Sequence, residues 1–164
     1  MGRILWGAAA LTLAVAASPA QGLAQQSETV IHVVYHNYYE VVRPIAWSGA
    51  VDQEITVVLS GKNAVREEFS ASAGGVSDTW KYNVTLGDAR WQVVGPNRLQ
   101  RTISWPQSTR VDTIETQGAQ CRASWAAQLK PGFAEYQAWG IKSKQLAYFR
   151  EERMVSSTCE IHTR

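Results

Sequence analysis

Two histidines four residues apart, His32 and His36, stand in the stretch IHVVYHNYYE (31–40) beside Tyr35, Tyr38, Tyr39 and Glu40. On a helix that interval places both imidazoles on one face a turn apart, the spacing used by zinc-binding helices. The branched Val33 and Val34, the tyrosines and the following Val41 and Val42 favour an extended strand instead. At about 3.3 Å per residue, a strand separates the two rings by roughly 13 Å, too far for one ion. A metal site therefore requires His162, the one other histidine, brought beside His32 or His36 by pairing of the first and last strands. Glu40 or Glu160 would then complete it. A metal-binding protein or enzyme built in this way is the alternative reading; the first expectation is a chain with no metal and no other cofactor.

Strand alternation divides the stretch into two faces. Ile31, Val33, Tyr35 and Tyr39 form an apolar face suited to a core. His32, His36 and Tyr38 form a polar-aromatic stripe of the kind that contacts sugar rings or a protein partner. Trp47, in RPIAWSG, and Trp105, in SWPQS, stand at turn edges where a large ring can face solvent and stack on carbohydrate. Trp139, in AWGIK, is similar, whereas Trp80 and Trp125 fall on inward faces. The binding residues expected from sequence are thus His32, His36, Tyr38, Trp47 and Trp105.

Catalytic residues are not indicated. No Gly-x-Ser-x-Gly elbow and no phosphate-cradling glycine loop occurs. The pairs Glu67-Glu68 and Glu151-Glu152 are adjacent on strands, so each pair splits between faces and cannot flank one bond.

The elements that must position these side chains are strands. TWKYNVTL (79–86) sets Trp80, Tyr82, Val84 and Leu86 on one face, and CRASWAAQLK (121–130) sets Cys121, Ala123, Trp125, Ala127 and Leu129 on one face. EITVVLS (54–60), WQVV (91–94) and RLQRTISW (98–105) are further strands. SGKN, AGG, GPN, PQS, QGAQ and KPG supply the turns between them. A short helix is open over 133–145. The last stretch, QLAYFREERMVSSTCEIH, reads as one long strand with a bulge near Glu151–Glu152, which puts Cys159 on a face with Val155 and Ile161. The pattern predicts an all-β, single-domain antiparallel β-sandwich or small barrel.

Cys121 and Cys159 are the only cysteines, and pairing them predicts one interstrand disulfide through the core. Residues 1–24 read as a signal peptide, with cleavage after Ala20 or Ala24, leaving 25–164 as one β-rich domain in the periplasm or outside the cell. The apolar run is too short to span a bilayer, so stable membrane insertion is not expected.

The whole chain carries 16 Lys+Arg against 14 Asp+Glu. Near-neutral charge and the export signal argue against nucleic acid. Arg90, Arg98, Arg101 and Arg110 lie in a locally basic stretch, read here as solvated surface. LKPGFAEY (129–136) is similar to the Leu-x-Pro-Gly-Thr-x-Tyr corner of fibronectin type III domains, but it is one residue longer and has Phe133 for the threonine. The Cys121, Trp139, Cys159 order is similar to that of immunoglobulin domains, but Ser157 replaces the expected tyrosine. No family is assigned. The leading expectation is a non-catalytic binding module for a protein or glycan; a structural protein that forms homo-oligomers through an open sheet edge is the third reading.

Overall fold

The computed structural model describes residues 27–61, 63–81 and 90–164. The expected leader (1–24), the ring of Trp80 and the strand positions of Tyr82, Val84 and Leu86 lie outside the described residues. Ten strands follow one another: β1 (Glu28–Arg43), β2 (Trp47–Ser60), β3 (Asn63–Ala73), β4 (Val76–Lys81), β5 (Gln92–Gly95), β6 (Arg98–Ser104), β7 (Ser108–Gln117), β8 (Gln120–Leu129), β9 (Tyr136–Gly140) and β10 (Gln145–Thr163). They make two antiparallel sheets, ordered β4-β3-β2-β1-β10-β9 and β5-β6-β7-β8, which face each other as a sandwich. Among the described residues no helix is long and apolar enough to cross a membrane.

Turn chemistry sets the hairpins. Gly74 and Gly75, with φ of 55° and 81°, close β3 onto β4; a two-residue loop with positive φ at both positions matches the twist of the flanking strands. The segment 133–145 forms β9 and a tight turn rather than a helix. Tyr136 and Ala138 pair with Phe149 and Ala147 of β10 and join the core, a contact that a helical 3.6-residue period would break. Gly140 closes this hairpin at short range. A Cβ there would meet Ser143 Oγ and lie 2.7 Å from Ala147 Cβ, so Gly140→Ala is expected to cost about 1–3 kcal/mol of stability in denaturant melts.

β1 lies between β2 and β10, and its alternation is as the sequence indicates: Ile31, Val33, Tyr35, Asn37, Tyr39 and Val41 are buried. Tyr39 packs edge-on against Phe149 with centroids 5.1 Å apart. The β1–β10 ladder slips three times, twice on β10 near the expected bulge and once on β1 at Val42. His36 and Asn37 pair with Ser156 and Met154, leaving Val155 extra; Glu40 and Val41 pair with Glu151 and Phe149, leaving Arg150 extra. Each extra residue shifts the alternation by one position. Val155 is therefore turned out to 60% exposure instead of sharing the face of Cys159, while Glu152 is turned in.

The two sheets are tied at one corner. Cys121 of β8 and Cys159 of β10 form the expected disulfide. Next to it, Ser157 Oγ donates to the Ala123 carbonyl at 2.6 Å, so a side chain from β10 occupies a backbone acceptor of β8.

Candidate functional site

Because β1 is an interior strand, its outward residues meet side chains from both neighbours. His36 Nδ1 lies 2.8 Å from Asp52 Oδ1. His32 Nε2 lies 3.3 Å from Glu54 Oε1, and its Nδ1 lies 3.3 Å from Thr56 Oγ1. Tyr38 carries the guanidinium of Arg153 at 4.9 Å from its ring centroid, and Arg153 also donates to Glu151. Glu40 accepts from Arg150. His32, His36 and Tyr38 are thus assembled on one outer face, as strand alternation requires.

The face continues beyond β1. Arg43 stacks 3.5 Å from the Tyr148 ring centroid and forms an ion pair with Glu135 at 2.8 Å. Leu146, exposed, stands opposite Trp139 on β9. Sequence reading places Trp139 at a turn and does not single out Tyr148 or Leu146. The β1–β10 pairing sets Tyr148 opposite Arg43, and the β9–β10 pairing sets Trp139 opposite Leu146, past the end of the ladder with β1.

The histidines do not converge. β1 and β10 do pair, but Glu160 is opposite His32 and His162 is opposite Val30. His162 Nε2 is 3.6 Å from Glu160, so each imidazole has its own carboxylate. Among the described residues no group of three or more His, Cys, Asp or Glu is arranged to hold a metal ion.

The two tryptophans are elsewhere. Trp47 is half-buried against the core at the start of β2, with Lys142 Nζ 4.4 Å from its ring centroid. Trp105 corrects the expectation of a solvent-facing ring, being only 7% exposed. It continues the row Leu99, Arg101, Ile103, whose alternation leads into the interior.

That row carries the larger surprise. Arg101 and Arg110, read from sequence as solvated, are buried between the sheets together with Asp112, Glu67 and Glu152. Arg101 and Asp112 are direct cross-strand partners on β6 and β7, and Arg110 lies two residues before Asp112 on the same face. Arg101 Nε and Nη2 donate to Asp112 Oδ2 at 2.8 and 2.5 Å, and Arg110 Nε donates to Oδ1 at 2.6 Å. Arg101 Nη1 donates to Glu67. Arg110 Nη1 donates to Gln53 Oε1 at 3.0 Å, and Gln53 Nε2 donates to the Tyr39 hydroxyl at 2.9 Å. Trp125 Nε1 donates to Asn37 Oδ1, and the Trp125 ring lies under Arg110 with 4.2 Å from the guanidinium carbon to the ring centroid.

Electrostatics follow from this geometry. Burial alone would push the Asp112 carboxyl up, but Arg110 and Arg101 outweigh it and hold the group below its ordinary range. Burial pushes Glu67 up, with Arg101 pulling the other way. Burial raises Glu152 to about 7, against the opposing pull of Arg110. Burial also raises the Tyr39 phenol, which stays protonated. Buried charges survive only when paired and hydrogen-bonded, and the two arginines sharing Asp112 meet that condition. No protein-family model, no curated protein and no solved structure matches the chain.

Proposed function

We propose that this chain is an exported, non-catalytic binding module that engages a protein or glycan through the outer face of the six-stranded sheet. Tyr38, His36 and His32 form its centre, and Tyr148, Leu146 and Trp139 extend it. The supporting observation is the contrast between the two outer faces. The four-stranded sheet presents Gln100, Thr102, Val111, Thr113, Ser124 and Ala126, with no aromatic ring among the described residues. The six-stranded sheet presents tyrosine rings stacked with guanidinium groups, and Tyr and Arg are both enriched at protein contact surfaces. The Cys121–Cys159 disulfide is compatible with the oxidising compartment this reading requires.

The test is retention of the purified protein on a panel of cell-wall and surface polysaccharides, and crosslinking to exported proteins. Tyr38→Ala combined with Tyr148→Ala should weaken the retained interaction at least about tenfold, as loss of central aromatic contacts does. Thr102→Arg, on the other outer face, should leave it unchanged. Binding abolished by Thr102→Arg and untouched by the tyrosine changes would overturn the assignment.

A further inference from the structure

The buried ionic cluster has one carboxyl more than its cations require. Arg101 and Arg110 contribute two positive charges, and Asp112 and Glu67, each hydrogen-bonded to a guanidinium, contribute two negative ones. Glu152 reaches the same interior from β10, with its side chain 1% exposed. The facing groups are Arg110 and Asp112 from β7 and Tyr39, directly opposite on β1. Beyond these lie Gln53 of β2, Arg101 of β6 and Glu67 of β3, joined through Arg110 and Asp112. Arg110 Nη1 stands 3.8 Å from Glu152 Oε1 and already serves Gln53. Glu152 Oε1 accepts no hydrogen bond, and Arg110 Nη2 finds no acceptor.

As a neutral acid, Glu152 leaves the interior balanced. As a carboxylate, it adds one buried negative charge near Asp112 with a single long ion pair, which a low-dielectric interior does not compensate. The surrounding backbone is where such a cost would be relieved. Residues 151–154 lie between the two extra residues Arg150 and Val155, so this short piece of β10 is bounded at both ends by breaks in its ladder with β1. Segments bounded in this way open locally at lower cost than a continuous ladder. The same piece carries Arg153, stacked on Tyr38 at the opposite face.

We propose that Glu152 is a proton-operated latch: protonated, it holds residues 151–154 of β10 against the interior, and on ionising it releases that piece and lifts Arg153 from Tyr38. The latch stands whatever binds the outer face. Burial places the Glu152 titration near pH 7, above its ordinary 4.5. A carboxyl raised in the folded state gives stability that is complete below 4.5 and falls as the pH rises through 7.

Native-state amide exchange on the intact, oxidised protein tests this, with rates corrected for intrinsic chemistry. Amides of 150–155 should open on the order of tenfold more often at about pH 8 than at about pH 5.5, and at both pH values they should open at lower cost than the core amides of β1 and β7. Glu152→Gln, which mimics the acid, should show equal opening at both pH values. The side-chain carboxyl carbon of Glu152, followed by NMR in the unaltered protein, should titrate near 7 and serves if the variant fails to fold. A titration below about 5.5, a variant that follows the parent, or amides of 150–155 as well protected as the core of β1 and β7 at both pH values would each overturn the latch.

Discussion

Asp112→Asn lowers the stability of the folded chain by about 3–5 kcal/mol, the largest effect expected of any single substitution in the cluster. Asparagine keeps the size and shape of the side chain, so no cavity is made. It removes the one negative charge that two buried guanidiniums share, leaving Arg110 with only the distant Glu152 and Arg101 with Glu67 alone. The penalty is that of uncompensated charge, not of lost packing. Urea melts should show a large fall in midpoint with an unchanged slope, whereas Thr113→Asn, next in sequence but on the opposite face of β7, should stay within about 0.5 kcal/mol. The pH dependence has a definite sign. Asp112 is held below its ordinary 3.8, so its contribution is present above that value and lost as the pH falls. Glu152 acts in the opposite sense through 7, so stability should peak at mildly acidic pH, and the Asp112→Asn protein should lack the acid decline. A loss below about 1 kcal/mol would mean that the guanidiniums are solvated.

The second large effect concerns the disulfide. Cys121 and Cys159, 38 residues apart in sequence, close a loop between strands of opposite sheets. On the chain-entropy model, opening such a loop costs about 4 kcal/mol. For a domain of this size that corresponds to a drop of roughly 10–15 °C in Tm. The double change Cys121→Ser with Cys159→Ser should therefore melt well below the parent yet keep its strand signature in circular dichroism, because Ser157 still holds the Ala123 carbonyl at the same corner. An unchanged midpoint after reduction would contradict the structural role assigned to the bond.

Much of this architecture is legible in the residues. The two faces of β1 differ cleanly, so the burial of Tyr35 and Tyr39 and the outward placement of His32, His36 and Tyr38 follow from alternation alone. Trp105 misleads because Pro106 follows it, and a turn suggests exposure; the row Leu99, Arg101, Ile103, Trp105 nonetheless points inward. Arg101 on that row is a charge on an apolar face, the one local sign of the interior cluster. β7 gives no such sign. Its Val111 and Thr113 face out while Arg110 and Asp112 face in, an inversion of the hydropathic order that is stable only because partners arrive from β6, β3 and β2. Those partners are fixed by pairing between strands distant in sequence, which no local pattern specifies. Glu152 is hidden for a different reason: two extra residues change the parity of β10, and alternation counted from either end fails in the middle. The Trp139, Leu146 and Tyr148 extension of the outer face likewise depends on where β10 pairs with β1 and β9 with β10.

The orientation of β7 decides which surface faces solvent and which faces the core, and therefore which face is free to bind. Solvent exchange of the arginine Hε protons, measured by NMR, tests it most directly. Arg101 and Arg110, each donating its Nε–H to Asp112 in the interior, should give two slowly exchanging Hε signals that persist when those of exposed Arg98 and Arg122 have exchanged away. Hε protons of Arg101 and Arg110 exchanging as fast as those of Arg98 and Arg122 would place the guanidiniums in water, and both the interior lock and the assignment of the outer faces would fall with that result.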